Sequence, residues 1–122
     1  MKQVLFEEDG AFRVGTILSE AGAAFQVEAA HGKRSKVKAS AVLLRFDGQA
    51  LAAFMPDAQA RAEAIDPKIL WEVCGPDEFG FAELAGDYYG HAPSPLEAAA
   101  VAVALHASPM YFYRRGKGRY QA

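Results

Sequence analysis

Residues 3–20 read QVLFEEDGAFRVGTILSE, and this stretch carries the strongest secondary-structure signal in the first part of the chain. Two short runs of strand-forming residues lie on either side of Asp9-Gly10, a dipeptide that strongly signals a two-residue hairpin turn. The stretch therefore predicts two antiparallel strands joined by a tight turn.

Three further strand patterns follow before residue 47. AFQVEAA comes after a turn at Ala21-Gly22, and SKVKA and AVLLRF come after the basic turn HGKRSK. Five short strands in under fifty residues favour a small SH3-like β-barrel, because a flat sheet of this size would leave open edges and a one-sided core. We therefore predict a five-stranded barrel over residues 1–47.

The periodicity becomes helical after the barrel. QALAAFMPDAQARAEAI predicts a connecting helix over residues 48–65, which Pro56 should divide into two pieces. Asp66-Pro67 then provides a cap and a first-turn proline for the next helix. These signals place a boundary between the connecting helix and a second module at residue 66.

Residues 66–122 read as three helices followed by an extended aromatic segment with a Gly-Lys-Gly turn. The third helix begins at SPLE, residues 94–97, which is a capping box with proline at the first helical position. This order predicts a winged helix, in which a helix-turn-helix precedes a hairpin. In the first hairpin strand, Met110 and Phe112 should share one face. The predicted fold class is α+β.

Composition excludes several classes of protein. The 122 residues carry a formal net charge of −2, which by itself predicts neither nucleic acid nor membrane as a partner. No apolar run approaches the roughly 18 residues of a membrane span, and the first residues are too polar for a signal peptide. We expect a cytoplasmic protein that has no membrane partner. The single cysteine, Cys74, lies between apolar neighbours and is predicted to be a buried structural thiol.

The positive charge is concentrated in two segments. The first basic segment (residues 31–46) carries five cations and no acid, and the second basic segment (residues 110–122) carries four cations and no acid. Such segments are typical of phosphate contacts, although each is also compatible with a solvated loop, and the tyrosines with packing in the hairpin. The candidate nucleic-acid-binding residues are Lys33, Arg34, Lys36, Lys38, Tyr111, Tyr113, Arg114, Arg115, Lys117 and Arg119.

The last predicted helix argues against a DNA-binding regulator. Residues 94–108 contain no Arg, Lys, Asn or Gln, the side chains that usually read base edges in the major groove. The alanine and valine content predicts a buried helix instead. Contacts to nucleic acid should therefore come from the basic segments, where tyrosines can stack on unpaired bases.

No catalytic residue is predicted. His31, His91 and His106 lack the spacing of a metal site, and no glycine-rich phosphate loop is present. We expect neither a metal nor a cofactor in this chain.

The chain resembles the N-terminal region of bacterial ribonuclease II family exoribonucleases, which carry an RNB catalytic domain. The similar stretches are FEEDGAFRVGTILSE, HGKRSKVKASAVLLRF, LWEVCGPDEFGFAELAGDYYGHAPSPLEAAAVAVALH and SPMYFYRRGKGRYQA. The resemblance implies a longer polypeptide that shortens RNA from its 3′ end, with magnesium bound in the catalytic domain. The family's catalytic aspartate cluster has no match here, so the resemblance implies an N-terminal part that binds substrate without cutting it.

Two functions from different classes follow. The first is an RNA-binding accessory region of a 3′-to-5′ hydrolytic exoribonuclease, with single-stranded RNA and the RNB domain of the same polypeptide as partners. The alternative is a protein-interaction or structural docking module. For the alternative, the acidic helical part (residues 47–109), with ten acids and two cations, would pack on a partner or on the catalytic domain.

Overall fold

The computed structural model describes residues 2–122 and shows an α+β protein. It contains an antiparallel five-stranded sheet, four α-helices and a small three-stranded sheet within this range. The predicted fold class is confirmed at this level. Contacts divide the chain into two compact units, the first ending at Pro56 and the second beginning at Asp57.

The first unit is built on the predicted hairpin. Asp9 and Gly10 have φ values of 52° and 77°, and a type I′ turn requires positive φ at both central positions. The strands pair antiparallel in the order β4-β3-β2-β1-β5. Their bounds are β1 (Lys2–Glu8), β2 (Ala11–Ala21), β3 (Ala24–Glu28), β4 (Arg34–Lys38) and β5 (Val42–Asp47), with a 3-10 turn at Ala39–Ala41 before β5.

The five-stranded sheet curls around an apolar core cluster. Val37 on edge strand β4 and Val42 on edge strand β5 belong to the same core cluster as Phe6 on β1. Register shifts in the β1–β5 and β2–β3 ladders add local twist, which helps the sheet to curl. The ladder nevertheless remains open between β4 and β5 among the described strands, so a closed barrel is not seen.

A buried glutamine fixes the end of the sheet to the following segment. The Gln3 side chain donates to the Gln49 carbonyl oxygen at 2.8 Å and accepts from the Gln49 backbone N–H at 3.0 Å. Both of its polar atoms are therefore satisfied although Gln3 is buried. This pair of hydrogen bonds holds residue 49, two positions before the next helix, beside the first strand.

Gln3→Ala is expected to lower the free energy of unfolding by about 1–3 kcal/mol, because it leaves the Gln49 amide and carbonyl without their partner. Urea denaturation followed by circular dichroism measures this change. Gln26→Ala is the matched control, since Gln26 is exposed on β3 of the same unit. Equal stability of the two variants would contradict the role assigned to Gln3.

Helix α1 (Leu51–Glu63) runs through Pro56 without a break, so the predicted division of this helix at Pro56 is wrong. A proline inside a helix removes one backbone hydrogen bond, and the rest of the helix is intact here. Within the first unit, the ring of Phe54 stacks on that of Phe46 with centroids 4.8 Å apart. This contact anchors the start of α1 on β5.

Two helices of the second unit begin at the predicted caps. Asp66 accepts from the Lys68 N–H at 2.9 Å, and Ser94 with Glu97 forms the complete capping box. The unit also contains a very short strand, β6, that the sequence pattern did not predict because two residues carry no periodicity. After the end of α1, its elements are α2 (Pro67–Val73), β6 (Phe79–Gly80), α3 (Phe81–Tyr89), α4 (Pro95–His106), β7 (Tyr113–Gly116) and β8 (Arg119–Gln121).

Helix α4 is the core of the second unit. Seven of its twelve residues are buried, which confirms the predicted burial of this helix. It is too short to cross a bilayer, and none of the helices in residues 2–122 combines the length and apolarity for a membrane span.

The hairpin after α4 starts later than predicted. Residues 110 and 111 form a turn, and β7 begins only at Tyr113. Met110 is 84% exposed and Phe112 is 4% exposed, so the prediction that they share a strand face is wrong. Alternation of faces applies only within a strand, and this segment is not yet extended.

Candidate nucleic-acid interface

The first basic segment presents cations on the outer face of β4. Ser35 and Val37 alternate with Arg34, Lys36 and Lys38, and Val37 lies in the core. The three cations are exposed and therefore point to the opposite side of the strand. The regular alternation of β4 explains why one short sequence provides both a core residue and a cationic row.

Folding neutralises part of this charge with acids from other strands. Arg34 Nε lies 3.0 Å from Glu28 Oε2, and Arg45 lies 3.2 Å from Glu20 Oε1. The Arg45 guanidinium also lies 4.8 Å from the centroid of the Phe25 ring. The sequence of the segment contains no acid and therefore did not predict these ion pairs, because the acidic partners lie on other strands.

The lysines remain available. Lys33, Lys36 and Lys38 have no carboxylate within ion-pair distance among residues 2–122. Lys36 and Lys38 line a shallow hollow of about 420 Å³, whose other lining residues are small, including Ala21 and Ser40. Small side chains leave room for a ligand backbone to approach the sheet closely.

An edge strand with exposed lysines also has a purely structural explanation. Such residues discourage pairing of the edge with another chain. β4 is an edge of the five-stranded sheet, so its lysines fulfil this role whether or not they bind a ligand.

The second basic segment forms a polar face on the β7–β8 hairpin. Tyr113 is 67% exposed and lies directly opposite Gln121, and Arg115 Nε donates to Gln121 Oε1 at 2.9 Å. Tyr113, Arg115 and Gln121 therefore share one face. Gln121 was not among the predicted site residues, and its position two residues after Arg119 on one strand is the signal that places it there.

The hairpin turn is attached to α3. The Gly118 carbonyl oxygen accepts from the Phe81 N–H at 3.0 Å, and Arg119 forms an ion pair with Glu78. Lys117 lies at the turn, is exposed, and has no partner among residues 2–122. The turn thus holds Lys117 in solvent while its neighbours are anchored. Arg114 is exposed and lies opposite Tyr120 in the ladder.

The two candidate stacking residues differ in their surroundings. Tyr111 is half-buried, with its ring centroid 6.4 Å from that of Phe112, whereas Tyr113 is mostly exposed. Stacking on a base requires a free ring face. The geometry favours Tyr113.

Cys74 is half-buried, so the prediction of a buried thiol is wrong. It lies just after the short helix α2, and its Sγ donates to the Trp71 carbonyl oxygen at 3.3 Å. Partial burial raises the pKa of the thiol.

The three histidines lie in the turn before β4, in the loop before α4 and at the last residue of α4. His91 Nε2 lies 2.9 Å from Glu97 Oε1, and the hydrogen bond from the Ser94 N–H lowers the pKa of Glu97. In the part of the chain that the structure describes, no three His, Cys, Asp or Glu side chains form a cluster that could hold a metal ion.

No protein-family model, curated protein or solved structure matches this chain.

Proposed function

We propose that this chain is a non-catalytic RNA-binding region that grips single-stranded RNA through phosphate contacts. In this proposal it is the N-terminal part of a ribonuclease II family exoribonuclease in the cytoplasm. RNA cleavage and magnesium binding belong to the RNB domain of the same polypeptide, which is also the second partner.

The observation that carries the proposal is a set of exposed lysines without acidic partners on two basic surfaces. Lys36 and Lys38 lie on the outer face of β4, and Lys117 lies at the β7–β8 turn beside the face of Tyr113. Lysines bind phosphate oxygens of any sequence, and an exposed tyrosine can stack on any base. The combination favours binding that depends little on sequence.

Two features of the fold support the family proposal. The curled five-stranded sheet has the strand number of the proposed SH3-like barrel. The second unit follows the order helix, strand, helix, helix, strand, strand, which is compatible with a winged helix. Since α4 is buried, the proposed binding surface is the hairpin and not that helix.

A triple variant, Lys36→Ala with Lys38→Ala and Lys117→Ala, is expected to weaken the salt dependence of RNA binding. Each phosphate contact to single-stranded RNA contributes about 0.7 to the log–log salt slope, so three lost contacts should lower its magnitude by about 2. Fluorescence anisotropy of a labelled oligonucleotide across a salt series measures the slope. Affinity should vary little between RNA sequences.

The matched control removes three exposed cations outside the basic segments, by Lys2→Ala, Arg61→Ala and Lys68→Ala. Its net charge equals that of the test variant, so a general charge effect would change both slopes equally. If the test variant and the control both keep the salt slope of the parent, these lysines do not contact phosphate and the proposal fails.

A docking module is the second candidate function, and helix α2 supports it. Ile69, Trp71 and Val73 are all more than two fifths exposed, although Leu70 between them is fully buried. Exposed tryptophan flanked by aliphatic side chains is typical of protein-binding surfaces. If the chain does not bind RNA, the exposed apolar face of α2 becomes the main candidate binding surface.

A further inference from the structure

The first unit contains a cavity of about 400 Å³ whose lining includes His31 and Lys33 of the first basic segment. It lies at one end of the curled sheet, and residues of β1, β2, β3 and β4 line it together with the start of α1. Its volume lies within the usual range of sites for small ligands.

One wall of the cavity is apolar. Phe6, Phe12 and Val27 come from the sheet, and Leu51 and Met55 come from α1. Two aromatic rings and aliphatic side chains suit a planar, weakly polar group better than a charged one.

The rim of the cavity is polar and positively charged. Glu8 and Arg13 form an ion pair of 3.1 Å, so their charges largely offset each other. His31 and Lys33 also line the cavity, and Lys33 has no carboxylate partner among residues 2–122. The unbalanced charge at this rim is therefore positive.

The turn that carries His31 and Lys33 is held by two backbone hydrogen bonds. The Ala29 N–H donates to the Lys33 carbonyl oxygen at 2.9 Å, and the Gly32 N–H donates to the Ala29 carbonyl oxygen at the same distance. Ser35 follows on β4, directly opposite Val27, and its side chain lines the cavity as well. The site thus has a cationic rim on a hydrogen-bonded turn and a hydroxyl beside its apolar wall.

We infer that this cavity binds a single nucleotide, with the base against the apolar wall and the phosphate at Lys33 and His31. This inference rests on the proposed function, because the nucleotide is one unstacked residue of single-stranded RNA. An inorganic anion would leave the apolar wall unused, and an uncharged apolar ligand would leave Lys33 unused. Only a ligand with a planar ring and an anionic group uses both the apolar wall and Lys33.

The test uses Ala52→Trp, which places a large ring at an exposed position of α1 that lines the cavity. Its matched control is Ala53→Trp, the neighbouring exposed position outside the cavity lining. Since stacking contributes about 1–3 kcal/mol per base, Ala52→Trp should weaken RNA binding about tenfold, and Ala53→Trp should leave it unchanged. Lys33→Ala should weaken RNA binding without blocking the cavity.

The ligand class is tested on the parent protein by titration with uridine 5′-monophosphate, ribose 5-phosphate and inorganic phosphate, followed by amide chemical shifts. Uridine 5′-monophosphate should shift the amides of Ala29, Gly32 and Ser35 most, and Ala52→Trp should abolish these shifts. Equal shifts from ribose 5-phosphate would overturn the base-binding role.

The proposed function and the cavity can fail separately. If the parent binds RNA with a steep salt dependence and Ala52→Trp binds equally well, the cavity inference is overturned and the proposed function stands. If RNA does not bind but uridine 5′-monophosphate shifts the cavity amides, the proposed function fails and the nucleotide class of the cavity is supported.

Discussion

Gly15→Ala is expected to lower the free energy of unfolding of the first unit by about 3 kcal/mol, at the upper end of the range for overpacked cores. Gly15 is buried in β2, directly opposite Val4. A Cβ atom at this position would overlap Val27 Cγ1 and lie 3.0 Å from the Glu28 carbonyl oxygen. Neither neighbour can move easily, because one is a core valine and the other is backbone.

The curl of the sheet causes this close approach. Val27 pairs with Ile17, so Gly15 and Val27 are diagonal neighbours on the same face. The residues of such a diagonal pair are ordinarily about 7–8 Å apart, and twist and curvature of the sheet bring the Val27 side chain closer to the backbone of β2. A glycine in a strand interior often marks this kind of close contact.

Residue-resolved amide hydrogen exchange measures the effect, since it reports the stability of the first unit separately from that of the second. Gly116→Ala is the matched control, because a Cβ there meets nothing within 4 Å. The control should change stability by less than about 0.5 kcal/mol. Unchanged protection of β2 and β3 in Gly15→Ala would show that the sheet is less curved than described.

Tyr120→Ala should be comparably disruptive in the second unit, with an expected loss of about 3–5 kcal/mol, the range for deleting a large buried aromatic side chain. Tyr120 is 2% exposed and lies opposite Phe79 in the ladder. Phe79 in turn meets Phe112 edge to face, with centroids 6.1 Å apart. Removing the ring leaves a cavity beside this pair.

Tyr113→Ala makes the same chemical change on the same hairpin and should cost less than about 0.5 kcal/mol, because Tyr113 is exposed. Urea denaturation followed by the fluorescence of Trp71, the single tryptophan, measures both variants in the second unit. In the RNA assay, Tyr113→Ala should weaken binding through lost stacking. Equal destabilisation by the two variants would show that Tyr113 also packs in the hairpin, an alternative that the sequence left open for this residue.

Most of the fold was predictable because its signals are local. The Asp9-Gly10 turn depends on two adjacent residues, and the box of Ser94 and Glu97 on two residues three positions apart. The predicted division of α1 at Pro56 was wrong because the local rule about helix breaking takes no account of tertiary packing. The stacking of Phe54 on Phe46 holds the start of the helix in place.

The candidate site was predictable as a list of cations but not as a surface. Arg34 and Arg119 looked equivalent to Lys36 and Lys117 in the sequence, yet the arginines have acidic partners in the folded chain. Glu78 lies 41 residues before Arg119, so no local pattern connects them. The cavity at Lys33 likewise combines residues from four strands and a helix.

The five strands of the first unit, the Asp9-Gly10 turn, the caps at Asp66 and Ser94 and the burial of α4 follow from the sequence alone, because each depends on backbone preferences or apolar periodicity within a few residues. Three other properties depend on the tertiary structure: how far the sheet curls, that Tyr120 and not Tyr113 is buried, and which lysines remain without an acidic partner among residues 2–122. Those properties depend on side chains that are distant in the sequence, and these meet only when the strands pair and the core closes.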